Sequence, residues 1–311
     1  MDRRSFLKNT LAGAGVAAGL KALGMPGFAE EKTPEKAPDK PKAVLKLCSQ
    51  DGKIPGKNVK EKAEKILKYG GCGLEFGGLD VKRAEQIKKD LEGTGVGPAA
   101  LCWGSAGGAL VSMDMEKRKK GIQDLKNQLD AAGALGSPGV IFVPCFHRQS
   151  DLKPEELDKV LLEILPELGD HAKKAGSRVL LEPLNKGETF YINLVSHAAR
   201  ICKQVNNPGI CLMGDFYHMG KGVKDGLAKS DQEEFVAGGT YLHHVHVATV
   251  KGRTLPSFED HSFVDGFIGL KKIGYQDYCS LECSIPKSTT AEEGIPKAFA
   301  FLKQQWEEAK I

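Results

Sequence analysis

From Ala43 onward, short apolar runs alternate with amphipathic segments, and the pair recurs eight times. The apolar runs predict strands near 43–49, 72–78, 97–104, 139–146, 177–185, 209–219, 241–249 and 277–284. The segments after them carry apolar residues at helical spacing over 59–70, 81–93, 115–136, 154–176, 194–205, 231–238, 263–274 and 291–309. Gly70, Gly176 and Gly274 fall where those helical patterns stop, as a left-handed C-terminal cap requires. Strands separated by helices predict a parallel sheet, because a parallel connection needs a crossover. Eight such units in one stretch predict an α/β fold, a single-domain (β/α)8 TIM barrel over 43–311. A doubly wound open sheet is the alternative. No GxGxxG follows the first strand, which removes the commonest ligand signature of that alternative.

The chain before Ala43 follows a different pattern. Arg3 and Arg4 are followed by Ser5, Phe6, Leu7 and Lys8, and then by a weakly apolar stretch that Lys21 interrupts. That stretch is too short and too polar to span a bilayer. Gly27 and Ala29 supply small residues at a cleavage site, so residues 1–29 are expected to be a twin-arginine signal peptide. Residues 30–42 contain three prolines and no apolar periodicity, which predicts a disordered linker. The expected location is periplasmic or secreted, with no stable membrane association after cleavage.

Composition changes this picture little. Hydrophobic residues make up 41% of the chain and charged residues 27%, as in ordinary globular proteins. Three of the four net positive charges fall within residues 1–29, so the remainder is nearly neutral and offers no electrostatic footprint for nucleic acid. The eight cysteines (Cys48, Cys72, Cys102, Cys145, Cys202, Cys211, Cys279 and Cys283) form no CxxC pair, which excludes a zinc ribbon. Buried free thiols are the first expectation, with disulfides open in an exported chain.

The candidate chemistry lies at strand ends. In a barrel of this type the active site forms at the C-terminal ends of the strands. Glu182 ends the fifth strand, Asp215 the sixth, His246 stands near the end of the seventh, and Glu282 ends the eighth. An unpaired carboxylate after an apolar run is costly, and a shared cation removes that cost. Three carboxylates and one imidazole form a hard, mostly oxygen donor set. It suits one divalent metal ion, Mn²⁺ first, with Mg²⁺, Co²⁺ or Zn²⁺ as alternatives.

These residues resemble the xylose isomerase-like barrels, a family that includes ketose 3-epimerases, hydroxypyruvate isomerase-like enzymes and endonuclease IV. The resemblance covers roughly 43–311, is most specific over 178–284, and includes the run GLKKIGYQDYCSLE. It implies that Glu182, Asp215, His246 and Glu282 hold the metal and that Glu182 and Glu282 also exchange a substrate proton. It further implies substrate contacts from Glu188, six residues past Glu182, and from His218, three past Asp215. Arg253 matches a substrate-binding arginine at an offset of one residue. The activity implied is a metal-dependent sugar isomerase or epimerase working alpha to a carbonyl through an enediolate.

Other residues near strand ends are weaker candidates. Trp103 follows the third strand and is expected to wall the sugar pocket, with packing as the alternative. His261 and His147 lie in loops that can line the mouth. His244 shares a strand face with His246 and is expected to point into the barrel below the metal as a satisfied core residue, while His243 points the other way. A binding protein that lost catalysis is opposed by the intact Glu182 and Glu282, and two other functions compete. One is a lyase or hydrolase that acts on keto-sugars by the same enolising chemistry. The other is endonuclease IV-like phosphodiester hydrolysis, opposed by the near-neutral charge and by Cys102-Trp103 where that branch supplies a histidine. No GxxxxGK[ST] phosphate cradle is present, so a free sugar is favoured over a sugar phosphate, and a homo-oligomer is left open.

Overall fold

The computed structural model describes residues 41–257 and 261–311. The expected signal peptide, and most of the expected linker, lie outside the described residues. Eight parallel strands close into a barrel in sequential order: β1 (Lys46–Gln50), β2 (Gly73–Gly77), β3 (Gly97–Gly104), β4 (Val140–Phe142), β5 (Val179–Leu181), β6 (Ile210–Asp215), β7 (Leu242–Val247) and β8 (Tyr278–Leu281). Pairing of β1 with β8, Cys48 beside Ser280, closes the ring. The predicted (β/α)8 barrel is therefore the fold.

The helices are α1 (Val59–Lys68), α2 (Val81–Leu91), α3 (Met115–Leu135), α4 (Pro154–Ala175), α5 (Val195–Val205), α6 (Phe216–Lys224), α7 (Asp231–Gly238), α8 (Val264–Ile273) and α9 (Ala291–Glu308). Their starts are set by side chains that accept the first free backbone N–H groups: Asn58 for α1, Asp80 for α2, Asp114 for α3, Ser230 for α7 and Thr290 for α9. Gly136, Gly176 and Gly274 close α3, α4 and α8 in the left-handed conformation. No helix among the described residues is long and apolar enough to cross a membrane.

Strand alternation divides the core into two layers. Leu101, Val140, Val179 and Leu212 face outward into the large layer between sheet and helices. Ala100, Ile141, Leu180, Cys211 and Met213 face inward and fill the barrel. That inner plug is small, so the upper interior is left to polar residues. All eight cysteines are free thiols, and six of them are buried.

One predicted element differs. Residues 216–219 were expected to continue the sixth strand, but the strand stops at Asp215 and α6 begins at Phe216. The cause is local, because the Asp215 carboxylate accepts the Tyr217 N–H at 2.7 Å and caps the helix. Phe216 then anchors the turn among Phe235, Phe263 and Phe267, with ring centroids 4.9, 5.1 and 5.4 Å away.

Candidate metal centre and active site

Four elements deliver the four expected ligands to one place. Glu182 follows β5 directly, and its N–H still pairs with Phe142 O at 3.0 Å. Asp215 ends β6 opposite His246 of β7, and Glu282 follows β8. Each offers one ligand atom, and these atoms all lie within 4.8 Å of one another. Glu182, Asp215 and His246 are buried, and Glu282 is largely so.

The hydrogen bonds fix how each group presents itself. His246 Nε2 lies 2.9 Å from Glu75 Oε2, which leaves Nδ1 facing the carboxylates. Nδ1 is 2.8 Å from Glu282 Oε2 and 3.8 Å from Glu182 Oε1, yet it makes no hydrogen bond among the described residues. Gln50, at the end of β1, donates to Glu282 Oε1 at 3.1 Å. A buried nitrogen, two buried carboxylates and a third that is partly buried, converging without enough donors, fit a divalent cation, which would accept lone pairs from all four.

Arg253 is the cation that this chain supplies. Its Nη2 donates to Asp215 Oδ2 at 3.0 Å and also to Glu282 Oε2, while Nη1 lies 3.8 Å from Glu188 Oε1. The guanidinium stacks 4.6 Å from the centroid of the Tyr217 ring. Arg253 reaches this position from a left-handed backbone, φ 49°, and its carbonyl is held by Ser284 N–H at 2.8 Å.

His218 sits on the first turn of α6, three residues after Asp215, so its Nε2 comes within 3.5 Å of Asp215 Oδ2. Its Nδ1 accepts from the Asn185 backbone N–H at 3.1 Å and lies 2.7 Å from Asn185 Nδ2. Two donors on Nδ1 place the proton on Nε2. Burial, and then the nearby Arg253, hold this imidazole well below its usual pKa, so it is a neutral donor. Asn185 Nδ2 also donates to Glu188 Oε1 at 2.8 Å, which brings Glu188 to the rim.

The carboxyl groups differ in proton affinity. Burial, and then the charge of Glu282, push Glu182 well above the carboxylate range. Burial also acts on Glu282, but His246 and Arg253 outweigh it and hold that group down to about 2. Asp215 is raised to about 6 by burial against the pull of Arg253 and His246. His246 is raised despite burial, by Glu282 and Glu75.

Not every candidate joins this cluster. Trp103 packs in the outer layer, 6.2 Å from the Phe142 ring, because alternation along β3 turns Cys102 inward instead. Of the two roles open to Trp103, this contact is the packing one. His261 stacks edge-on to Phe263 at 4.6 Å, and Phe263 in turn packs on Phe216. His147 is exposed, with Nε2 2.8 Å from Lys186 O. His243 pairs with Asp277 at 2.8 Å outside the barrel. The sequence pattern did not single out Glu75, Asn185 or Gln50. An inward-facing polar residue inside or at the end of a strand was the available signal for each.

A family model described as the xylose isomerase-like TIM barrel matches residues 64–305, and the chain belongs to that family. Within it, the chain is 28% identical over 258 residues to 3-dehydro-D-guloside 4-epimerase of Escherichia coli K12, a match covering 80% of this chain and 95% of the relative. It is 26% identical over 279 residues to inosose isomerase of Bacillus velezensis, covering 82% and 94% of the two chains. Among solved structures it resembles the apo form of E. coli 3-keto-D-glucoside 4-epimerase, with TM-score 0.72 and 24% identity over 84% of this chain and 100% of that one. Its relatives are sugar epimerases and isomerases.

Proposed function

We propose that this chain is a divalent-metal-dependent sugar epimerase or isomerase that moves a proton on a carbon next to a carbonyl. The substrate class we favour is a keto-glycoside, by likeness to the 3-dehydro-D-guloside 4-epimerase. The observation that carries the proposal is the pair Glu182 and Glu282. They follow β5 and β8 and face one centre together with Asp215 and His246. Two carboxyls facing one centre can divide into an acid and a base, each serving one face of the reacting carbon.

A divalent ion held by Glu182, Asp215, His246 and Glu282 would polarise a substrate carbonyl and stabilise the negative charge left by proton removal. Glu282, ionised, takes the proton from the carbon beside that carbonyl. Glu182, protonated, returns one from the opposite face, and the product differs at that carbon. Arg253 and the neutral Nε2–H of His218 lie where substrate oxygens would be bound, with Glu188 at the rim. These groups orient the sugar so that the reacting C–H points at one glutamate. The near-neutral barrel and this small polar mouth suit a small sugar and give no support to a nucleic-acid substrate.

The test is incubation of Mn²⁺-loaded protein with a panel of keto-glycosides and ketoses in D2O, followed by NMR. Deuterium appearing beside the carbonyl, with the glycosidic bond intact and a new epimer formed, supports the proposal. Release of the aglycone would transfer the same chemistry to a lyase. Failure of every substrate to exchange would defeat the proposal.

A further inference from the structure

Glu75 is a buried carboxylate that the chemistry above does not use. Alternation along β2 turns Leu74 and Phe76 into the outer layer and Glu75 into the barrel. Glu75 is 1% exposed. Its Oε2 lies 2.8 Å from His244 Nε2 and 2.9 Å from His246 Nε2. The strands β8 and β1 stand between β7 and β2 in the sheet, so this contact crosses the barrel interior.

The placement is expensive for a fold that needs only stability. Glu75 Oε1 and His244 Nδ1 are buried without a hydrogen-bond partner among the described residues. The positions below are filled by Ala100, Ile141, Leu180 and Met213, and apolar groups of similar size would serve as well here. The geometry does have one specific effect. An ionised carboxylate can only accept, so each imidazole must present Nε2–H to it. A neutral His246 then carries its lone pair on Nδ1, the atom that faces Glu182 and Glu282. His244, with its ring at 86° to that of His246 and 5.1 Å away, gives Oε2 a second donor and fixes the carboxylate in turn.

We infer that Glu75 is a positioning residue for the metal centre, holding His246 in the tautomer and ring orientation that aim Nδ1 at the other three ligands. The inference rests on the metal reading proposed above and assigns no ligand role to Glu75 itself. A carboxylate behind a ligating histidine also makes that ligand more basic, and losing such a partner costs 10- to 100-fold in metal affinity.

The test uses full-length protein labelled with ¹⁵N at histidine and loaded with Zn²⁺, together with Mn²⁺ binding isotherms. The wild-type spectrum is expected to show both His244 and His246 protonated on Nε2. Glu75→Gln keeps a carbonyl acceptor but loses the charge. It should keep the tautomer and bind Mn²⁺ roughly 10- to 100-fold more weakly. Glu75→Leu removes both effects and should also release the tautomer. A wild-type His246 protonated on Nδ1 overturns the inference, and that spectrum decides the matter even where Glu75→Leu does not fold. Mn²⁺ affinity within twofold of wild type in folded Glu75→Gln overturns it as well. Asp215→Ala separates the two levels. Mn²⁺ lost there but unchanged in Glu75→Gln defeats only the role of Glu75, whereas Mn²⁺ retained in Asp215→Ala defeats the ligand set.

Discussion

Arg253 Nη2 lies 3.0 Å from Asp215 Oδ2 and also donates to Glu282 Oε2, so one guanidinium ties together the carboxylates that end β6 and follow β8. Three acidic groups share this centre with few donors, and Arg253 offsets much of their repulsion. Its own charge is reinforced by Asp215 and Glu282 against the effect of burial.

Removing that charge should therefore expose the repulsion. Arg253→Gln keeps the backbone cost of a left-handed φ and deletes the cation. Breaking a buried ion pair costs about 3–5 kcal/mol, and partial exposure of Arg253 puts the expectation at the lower end. In EDTA, the variant should melt several degrees below wild type. Saturating Mn²⁺ should raise its Tm by more than it raises that of wild type, because the ion replaces the missing charge. Equal melting temperatures in EDTA would remove Arg253 from this role.

A second expectation concerns pH. Asp231 opens α7, is 9% exposed, and has Oδ1 buried without a partner among the described residues. Burial first, and then Asp265, raise its carboxyl to about 7. A raised acid binds its proton more tightly folded than unfolded. Its contribution to stability is therefore full below about pH 4, falls as pH rises toward 7, and is level above that. The full shift corresponds to about 4 kcal/mol, and attraction to the start of α7 reduces the expected loss to about 1–3 kcal/mol. Asp231→Asn should thus be more stable than wild type at pH 8 and gain much less at pH 5, as measured by urea denaturation. The same stability difference at both pH values would refute this account.

The legibility of the site in the sequence followed periodicity. Glu182, Asp215, His246 and Glu282 stand out because each closes an apolar run, and the barrel rule then places them together. The helix at 216–224 was hidden because GDFYHMG continues an apolar pattern, and only the Asp215 cap separates strand from helix. Trp103 could be read as pocket wall or as packing, because its position at the end of a strand does not settle which way the ring turns. Glu75 was passed over because a single acid within GLEFG reads equally as an outward residue on a half-exposed strand. Its partner His244 is 169 residues away, and the pairing appears only once the barrel has closed. Asn185 falls at the end of the predicted fifth strand, while its work is done across to α6.

We also propose export of this chain by the twin-arginine route, on the strength of Arg3 and Arg4 before a weakly apolar stretch. A variant with Arg3→Lys and Arg4→Lys should accumulate in the cytoplasm with its leader attached. Unchanged amounts of processed protein in the periplasm of the variant would reject this route.

The last expectation separates the two glutamates. On an epimer whose C–H faces Glu282, that group removes the proton and Glu182 returns one, so the two have different jobs. Conservative Glu→Gln changes keep an oxygen donor and remove the proton carrier. Each should cost roughly 10²–10⁴ in turnover, the usual size of a general acid–base contribution, with a much smaller loss of bound metal. The losses should not add in the double variant, because both groups serve one proton transfer. Exchange with solvent should divide them. In Glu182→Gln, Glu282 can still remove the proton and return a solvent-derived one to the same face. Deuterium should then enter the substrate without inversion. In Glu282→Gln the first step is missing, so both exchange and inversion should disappear for that epimer. Starting from the opposite epimer, the two variants should trade behaviours. A metal-replete Glu282→Gln protein with near-wild-type turnover would reduce both glutamates to ligands. The base would then have to be sought elsewhere beside the centre, at His218 or Glu188 first.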